Sequence, residues 1–330
     1  MTTSAPPARR VAVAEVADGV RAGSSRAVAR AISVVEAGGP PARELAIALA
    51  AHIGRAEIIG LTGPPGVGKS TSTTMLVGAL RAAGRRVGVL AVDPSSPFTG
   101  GALLGDRVRM QDHATDDGVF IRSMASRGHL GGMAAATPQA LRVLDAAGCD
   151  VILVETVGVG QAEVDIASQA DTTLVLLAPG MGDAIQAAKA GILEVADVYV
   201  VNKADRDGAA QAVKELRSML SLGGRHAEAG AWRPPIISTV AVRGEGADEL
   251  LGAIERHREW MADGGELDRR RHSRAAREIE AIAIGILRSR IGGVTDAAGS
   301  VALAAQAARV VGADVDPYTA AEALVESLTE

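Results

Sequence analysis

Between Glu57 and about Trp260, short apolar runs rich in Val, Ile and Leu alternate with stretches of helical periodicity. Few folds accommodate that rhythm, which is typical of βα units wound around a buried parallel sheet. Because ligands of such sheets bind beyond the carboxyl ends of the strands, functional residues should collect at that edge. The predicted strands are Ile58–Thr62, Val87–Asp93, Val119–Ser123, Val151–Glu155, Thr173–Ala178, Val198–Asn202 and Pro235–Ser238.

We assign residues 57–262 to this α/β domain, and the residues before it predict a terminus followed by helices. Residues 1–23 are rich in Ala and Pro, lack periodicity and predict a flexible terminus. Residues 24–56 predict a helical hairpin packed on the domain, because apolar residues recur on one face of each half and Pro41 stands in the first turn of the second helix.

The residues after the domain, 263–330, also predict helices only. Ile279, Ile282 and Ile286 follow the spacing of one helical face, with charged residues on the other side, and Pro317 begins a further short helix. Such an arm either packs back on its own sheet or forms a subunit interface. We assign it as a C-terminal dimerisation arm.

Composition excludes several classes of partner. The chain has two Phe, two Tyr and two Trp among 330 residues and a net charge of −5, so it lacks both the aromatic platforms that stack single-stranded bases and the basic footprint of duplex binders. Its single cysteine, Cys149, excludes a disulfide framework and a thiolate metal cage. No apolar run reaches the roughly 18–20 residues that span a bilayer, and the first residues lack a signal-peptide pattern, so we expect a cytoplasmic protein with neither nucleic-acid nor membrane partners.

A phosphate-binding pattern follows the first predicted strand. The segment fits G-x-x-x-x-G-K-[ST] and precedes a predicted helix, as this motif requires. The glycines allow backbone N–H groups to form an anion nest, and the helix adds the positive end of its dipole. Lys69 should bridge the terminal phosphates of a nucleoside triphosphate, and the Ser70 hydroxyl should bind Mg²⁺. The predicted loop comprises Gly63, Pro64, Pro65, Gly66, Val67, Gly68, Lys69, Ser70 and Thr71.

Three acidic residues are candidates to complete the Mg²⁺ site. Asp93 and Glu155 end predicted strands, and Asp106 lies in a glycine-rich loop. Mg²⁺ prefers an octahedron of oxygen ligands and keeps several waters, so carboxylates near a phosphate loop suit it. An acidic residue at a strand end is also a common helix N-cap, and that interpretation stays open for each of them taken alone.

A second motif indicates that the base is guanine. Asn202, Lys203, Ala204 and Asp205 match N-K-x-D at a strand end, in which the acidic residue accepts hydrogen bonds from the ring and exocyclic N–H groups of guanine. Adenine lacks that pair of donors. A weaker candidate for the remaining base contacts is the strand end at Ser238, Thr239 and Val240, which equally fits an ordinary strand end.

Two further segments bear on hydrolysis. Val159 stands where signalling GTPases carry the glutamine that orients the attacking water, so we expect slow turnover by the isolated protein. Asp183 and Gln186 resemble a capping box at a helix start, yet the preceding glycines allow movement. Residues 179–189, including Lys189, are therefore either an ordinary helix start or a nucleotide-dependent segment that helps complete the catalytic site.

Taken together, these motifs resemble the methylmalonyl-CoA mutase-associated GTPases, formerly labelled arginine/ornithine transport ATPases or kinases. The resemblance covers about residues 24–330. It rests on Gly63–Thr71, Val92–Pro97, Gly101–Arg107, Arg127–Gly132, Glu155–Gln161 and Asn202–Asp205.

The resemblance implies a dimeric P-loop G protein of the signal-recognition and metal-insertion class. It implies a GTP-hydrolysing chaperone that assists loading, protection or reactivation of an adenosylcobalamin-dependent acyl-CoA mutase. In this family the counterparts of Ser70, Asp93, Asp106 and Glu155 surround Mg²⁺. A further switch, through which the mutase stimulates hydrolysis, corresponds to the segment with Asp183, Gln186 and Lys189, and these three join Lys69 and Glu155 as catalytic candidates. Ala162 stands where serine is common, and residues 184–185 and 187–188 also depart from the usual pattern.

Other functions remain as alternatives. A nickel-insertion GTPase would share the fold but would need clustered Cys and His ligands, whereas the six histidines and one cysteine are scattered. A kinase or ATPase linked to amino-acid transport would need an acceptor site and a base that no motif supplies. A nucleotide-dependent scaffold with incidental turnover would fit the valine at position 159.

Overall fold

The computed structural model describes residues 13–94, 113, 115–126, 136–156, 166–180, 192–222, 230–291 and 301–326. Its centre is a seven-stranded sheet in the order β3-β2-β4-β1-β5-β6-β7, and every neighbouring pair is parallel. All the predicted strands are confirmed, with ends shifted by up to three residues. The strands are β1 Glu57–Thr62, β2 Val87–Pro94, β3 Val119–Ser126, β4 Val151–Thr156, β5 Thr172–Leu177, β6 Val198–Asn202 and β7 Ile236–Thr239.

The chain divides into two compact units, the first ending at Asp268 and the second beginning at Arg269. This division lies a few residues beyond the predicted start of the arm at residue 263. The described α-helices are α1 Val13–Arg21, α2 Ser25–Ala37, α3 Gly39–Leu49, α4 Lys69–Ala82, α5 Thr137–Ala146, α6 Ala209–Leu222, α7 Ala247–Asp263, α8 Glu266–Ile291, α9 Val301–Val311 and α10 Pro317–Glu326.

Helices cover both faces of the sheet, as the strand pattern predicts. On one face, α4 and α7 pack over strand residues such as Leu61, Leu153 and Val200. On the other face, the N-terminal helices and α5 bury residues such as Leu90 and Ile152, and α6 packs over the β5 and β6 end of the sheet. Strands buried on both faces explain the continuous apolar runs of the sequence, because neither set of alternating side chains meets water.

The N-terminal region differs from the prediction. The helices α2 and α3 form where the hairpin is predicted, but α1 lies inside the predicted flexible terminus. Val16, Ala17 and Val20 of α1 are buried in the same core as α2. Their spacing of three and four residues marks a helical face, but a helix this short is stabilised by tertiary packing more than by its own propensity. Residues 1–12 lie outside the described residues.

Aspartates placed just before strands connect neighbouring strands at the edge of the sheet where the strands begin, which we call the starting edge. Asp150, Asp171 and Asp197 each precede a strand and accept a hydrogen bond from a backbone N–H at the start of the neighbouring one. The donors are Arg86 N at 2.8 Å, Ile58 N at 3.0 Å and Thr173 N at 2.8 Å, respectively. These carboxylates satisfy donors that the sheet ladder leaves free at its edge.

Cys149 lies near the same edge and is 2% exposed. Burial raises the pKa of its thiol to about 12, so this cysteine behaves as a small apolar side chain. Within the described parts of the chain, no helix is long and apolar enough to cross a membrane.

The unit that begins at Arg269 is helical throughout its described residues. It contains most of α8 together with α9 and α10, and Ala320 and Leu324 of α10 are buried. On α8, Ile279, Ile282 and Leu287 are at least 44% exposed.

Candidate functional site

The segment after β1 has the backbone of an anion-binding loop. Gly63, Gly66 and Gly68 have φ values of 141°, 82° and 95°, a region that residues with a side chain rarely adopt. A Cβ at Gly63 would lie 2.3 Å from the carbonyl oxygen of Leu176, and one at Gly68 would lie 2.5 Å from Asn202 Nδ2. The helix α4 begins at Lys69, directly after Gly68. Glycine is therefore required sterically at Gly63 and Gly68, as well as conformationally.

Lys69 is held inside this loop. Its side chain is largely buried, and Nζ donates to the carbonyl oxygens of Gly63 at 2.5 Å and Pro64 at 3.1 Å. These carbonyls give a buried ammonium the partners it needs. They also hold the ammonium group within the loop, where it can exchange these carbonyl oxygens for the oxygens of an anion.

Ser70 and Glu155 come together at the carboxyl ends of the strands. The Ser70 hydroxyl donates to Glu155 Oε1 at 2.6 Å, and Glu155 is 2% exposed. Thr73 donates to Glu155 Oε2 at 3.0 Å. Sequence reasoning did not select Thr73, although its position three residues after Ser70 puts both hydroxyls on one side of α4.

Asn202 connects three parts of the site. Its Nδ2 donates to the carbonyl oxygen of Val67 at 2.8 Å, and its Oδ1 accepts from Thr239 Oγ1 at 3.2 Å and from Ala241 N at 3.1 Å. The side chain is buried, as is that of Thr239. The N-K-x-D strand end, the phosphate loop and the segment after β7 thus share one amide, whose donor and acceptor groups are both used.

Lys203 and Asp205 extend this connection toward solvent. Lys203 has a φ of 57°, and its Nζ donates to the carbonyl oxygen of Gly66 at 2.6 Å. Asp205 Oδ2 lies 3.2 Å from Arg243 Nη1, and Arg243 also donates to Glu245. The side chain of Asp205 is 38% exposed. Its carboxylate therefore lies at the open side of the site, beside the guanidinium of Arg243.

The strand end at Ser238, Thr239 and Val240 forms internal contacts. Thr239 is used by Asn202, and its carbonyl oxygen accepts from Ala204 N at 3.0 Å. Val240 is buried and donates its N–H to the carbonyl oxygen of Glu245 at 3.0 Å. Ser238 has an exposed side chain. For Thr239 and Val240 the contacts are those of a strand end that supports Asn202.

Several predicted site residues lie outside the described residues, namely Asp106, Asp183, Gln186 and Lys189, and so does Val159. Asp93 is the last residue but one of β2, which lies beside β4 with Ala91 opposite Glu155 in the register, but the described features of Asp93 are limited to its backbone. Within the described residues no group of three or more His, Cys, Asp or Glu could hold a metal ion. The pair that fits Mg²⁺ is Ser70 and Glu155, because both offer hard oxygen atoms.

The fold and this loop define a class of protein, the P-loop nucleotide-binding proteins with a guanine-type N-K-x-D motif at a strand end. The family model for the methylmalonyl-CoA mutase-associated GTPase MeaB matches residues 28–296. The chain therefore belongs to the MeaB family of GTPases.

Individual comparisons agree with this assignment. A Pyrococcus abyssi protein named as a GTPase is 46% identical over 314 residues, which cover 95% of this chain and 96% of that protein. The mouse methylmalonic aciduria type A homolog, mitochondrial, is 41% identical over 218 residues, which cover 65% of this chain and 52% of that protein. The crystal structure of a LAO/AO transport system kinase superposes with a TM-score of 0.70 at 26% identity, covering 98% of this chain and 100% of the other.

Proposed function

We propose that this protein binds and hydrolyses GTP to assist loading, protection or reactivation of an adenosylcobalamin-dependent acyl-CoA mutase. The observation that carries the nucleotide part is the joining of the phosphate loop to the N-K-x-D strand end through Asn202, at 2.8 Å from Val67 O. The mutase part rests on membership of the MeaB family of methylmalonyl-CoA mutase-associated GTPases.

In this proposal the phosphates of GTP bind the N–H groups of the loop Gly63–Thr71 and the start of α4. Lys69 exchanges the carbonyl oxygens of Gly63 and Pro64 for phosphate oxygens. The exchange favours binding because phosphate carries the negative charge that the carbonyls lack, so the Lys69 ammonium gains the attraction of an opposite charge in a largely buried site. Asp205 accepts the guanine N–H groups, with Lys203 beside the base.

We assign Mg²⁺ to the Ser70 hydroxyl and the Glu155 carboxylate, with Asp93 and Asp106 as further candidates. The contact of 2.6 Å between Ser70 Oγ and Glu155 Oε1 supports this assignment, since it gathers two hard oxygen donors beside the phosphate loop. When bound, Mg²⁺ would neutralise charge on the phosphates. Thr73, which donates to Glu155, would keep that carboxylate oriented.

The mutase is proposed to accelerate a turnover that is slow in the isolated protein. Val159 cannot orient water as a glutamine does, and Asp183, Gln186 and Lys189 are proposed to complete the catalytic site when the partner binds.

The test is GTP turnover by the purified protein over a wide range of mutase concentration, in parallel with the Lys69→Ala variant. We expect turnover to rise and saturate with wild-type protein and to stay at background with the variant. Turnover that does not change with mutase would contradict the chaperone role. Co-purification of the mutase in the presence of GTP, but not of GDP, would identify the nucleotide state that binds the partner.

We also propose a homodimer, formed through the arm of residues 263–330. The exposed apolar side chains of Ile279, Ile282 and Leu287 on α8 support it, because neighbouring apolar residues on one helix favour burial against a second surface. Sedimentation of the wild-type protein should give the mass of a dimer. The double substitution Ile279→Asp and Ile282→Asp should give a monomer that still binds GDP.

A further inference from the structure

In the proposed function Asp205 and Lys203 contact guanine. Arg243, which lies beside Asp205, has no role in that function. Its guanidinium lies between two acidic residues: Nη1 is 3.2 Å from Asp205 Oδ2, Nε is 2.6 Å from Glu245 Oε1, and Nη2 is 3.3 Å from Glu245 Oε2. Glu245 therefore binds Arg243 with both carboxylate oxygens. The third nitrogen of the guanidinium, Nη1, donates to Asp205.

We propose that Arg243 is a positioning residue for guanine, which orients the carboxylate of Asp205 and is itself held in place by Glu245. This inference rests on the proposed function and adds a determinant of base specificity to it. Neither the phosphate loop nor the N-K-x-D motif contains Arg243.

Hydrogen bonds hold the backbone of the segment that carries Arg243. Val240 N donates to Glu245 O at 3.0 Å, Arg243 N donates to Val240 O at 2.9 Å, and residues 241–243 form a turn of 3-10 helix. Gly246 has a φ of 82°, and a Cβ there would lie 2.4 Å from the carbonyl oxygen of Ser238. The loop is thereby closed on the end of β7.

The same loop is tied to the strand end that carries Asp205. Ala241 N donates to Asn202 Oδ1 at 3.1 Å, and Ala204 N donates to Thr239 O at 3.0 Å. One contact joins two backbones and the other joins a backbone N–H to the Asn202 side chain, and together they set the separation between the two main chains. The half-exposed side chains of Arg243 and Asp205 therefore extend from main chains whose separation is set, as a specificity device requires.

The chemistry of a carboxylate makes the contact useful. An ionised carboxylate offers about four lone-pair positions, of which guanine N1–H and N2–H would take one on each oxygen. Arg243 occupies another position on Oδ2 and leaves room for the base. The terminal torsion of an aspartate is broad, so a free carboxylate takes up many orientations. A donor that restricts these orientations before the base binds reduces the conformational entropy lost on binding, and preorganisation of this kind increases affinity.

The planar fork of arginine is needed because it must contact Glu245 and Asp205 at once. Lysine presents a compact charge that cannot reproduce this geometry. The pairing also raises the pKa of Arg243, mainly through its hydrogen bond to Glu245, so the guanidinium stays charged throughout the working range of pH.

The test is calorimetric titration of GDP, IDP and ADP into wild-type protein and Arg243→Ala, all with Mg²⁺. IDP lacks the exocyclic amino group, so it offers Asp205 one donor where GDP offers two. We expect Arg243→Ala to weaken GDP binding about three- to tenfold, to weaken IDP binding by about half as much on a logarithmic scale, and to leave ADP binding unchanged. Arg243→Lys should lose most of the same affinity.

Three further variants separate positioning from charge and from structure. Arg206→Ala removes the same charge from the exposed residue next to Asp205 and should change GDP affinity by less than twofold. Glu245→Gln weakens the anchor of Arg243 and should give a smaller loss in the same direction. In an Asp205→Asn background, Arg243→Ala should have no further effect on GDP or XDP, because the carboxylate it orients is gone.

Several outcomes would overturn the inference. They are unchanged GDP affinity in Arg243→Ala, tighter GDP binding in that variant, an equal loss for GDP, IDP and ADP, or a loss that persists without Asp205. Each of these leaves the proposed function standing if wild-type protein prefers GDP to ADP. Wild-type protein that binds no guanine nucleotide would overturn both.

Discussion

The two edges of the sheet both contain buried polar side chains, but they use them differently. At the carboxyl ends of the strands, Lys69 and Glu155 are bonded to groups that could give way to a ligand, namely loop carbonyls and hydroxyls. At the starting edge, Asp171 and Asp197 accept from backbone N–H groups of neighbouring strands. One edge keeps its polar groups available, whereas the other uses them to hold strands together.

The starting edge also contains a group of aromatic and titratable side chains around α7. His257 Nδ1 lies 2.9 Å from Thr172 Oγ1, and its Nε2 lies 3.3 Å from Asp197 Oδ1. Trp232 donates to the carbonyl oxygen of Asp197 at 2.7 Å and packs on His257, with ring centroids 4.8 Å apart. A perturbed or buried polar group is thus not by itself a sign of function. The useful distinction is whether its partners are part of the permanent fold.

Among substitutions that test this comparison of the two edges, we expect the largest change in GTP affinity from Lys69→Ala. Loss of its charge-assisted contacts to phosphate should weaken GTP binding about 100-fold or more, since each such contact contributes about 1.5–3 kcal/mol. The unfolding free energy of the nucleotide-free protein should hardly change. Calorimetry and urea denaturation measure the two effects. Lys214→Ala, an exposed lysine of α6, is the matched control and should leave both unchanged.

The next effect concerns pH at the starting edge. Burial raises the pKa of Glu57 from 4.5 to about 7, against the opposing charge of Arg258, whose Nη1 lies 3.6 Å from Oε2. The folded state therefore holds a proton that the unfolded state has lost between pH 4.5 and 7, so the stability from this group is present below pH 4.5 and declines up to about pH 7.

Glu57→Gln should remove that decline, because an amide does not titrate. At pH 8 the variant should be more stable than wild type by up to about 3 kcal/mol, and near pH 4 the two should be similar. Urea denaturation at both pH values measures the difference. A variant that is less stable than wild type at pH 8 would show that the ion pair with Arg258 outweighs the cost of burial.

Asp205→Asn tests the ligand-facing edge at its base-recognising end. The substitution replaces one acceptor oxygen by an NH₂ donor, which would face an N–H donor of guanine. GDP affinity should therefore fall about tenfold or more while XDP affinity rises. Stability of the nucleotide-free protein should stay within about 0.5 kcal/mol, as is usual for an exposed position. An unchanged ranking of GDP, XDP and ADP would place the base elsewhere.

The smallest effect expected is that of Asp197→Ala. Its removal leaves the buried Thr173 N–H without an acceptor, at a cost of about 1–2 kcal/mol in unfolding free energy. GDP affinity of the folded protein should be unchanged, because Asp197 lies at the start of β6 and the nucleotide site at its end. Fluorescence of Trp232, which contacts Asp197, can follow the unfolding. A tenfold change in GDP affinity would break the division between the two edges.

Much of the fold could be read from local patterns. The strands β1, β4, β5 and β6 are short runs buried on both faces, and a pattern of this kind acts over a few residues. The phosphate loop is also local, since its glycine spacing directly sets the backbone conformation that the structure has at Gly63, Gly66 and Gly68. The sequence did not predict the helix α1, because its burial against α2 depends on tertiary packing.

The sequence by itself determined the strands, the loop and the chemical types of Lys69, Glu155 and Asp205. Only the tertiary structure decided which side chains meet: Thr73 with Glu155, Asn202 with Val67 and Ala241, and Arg243 with Asp205. The reason is physical. Periodicity and motifs report the conformation of neighbouring residues, whereas these contacts join segments between 38 and 135 residues apart, whose separation is set by strand order and loop closure.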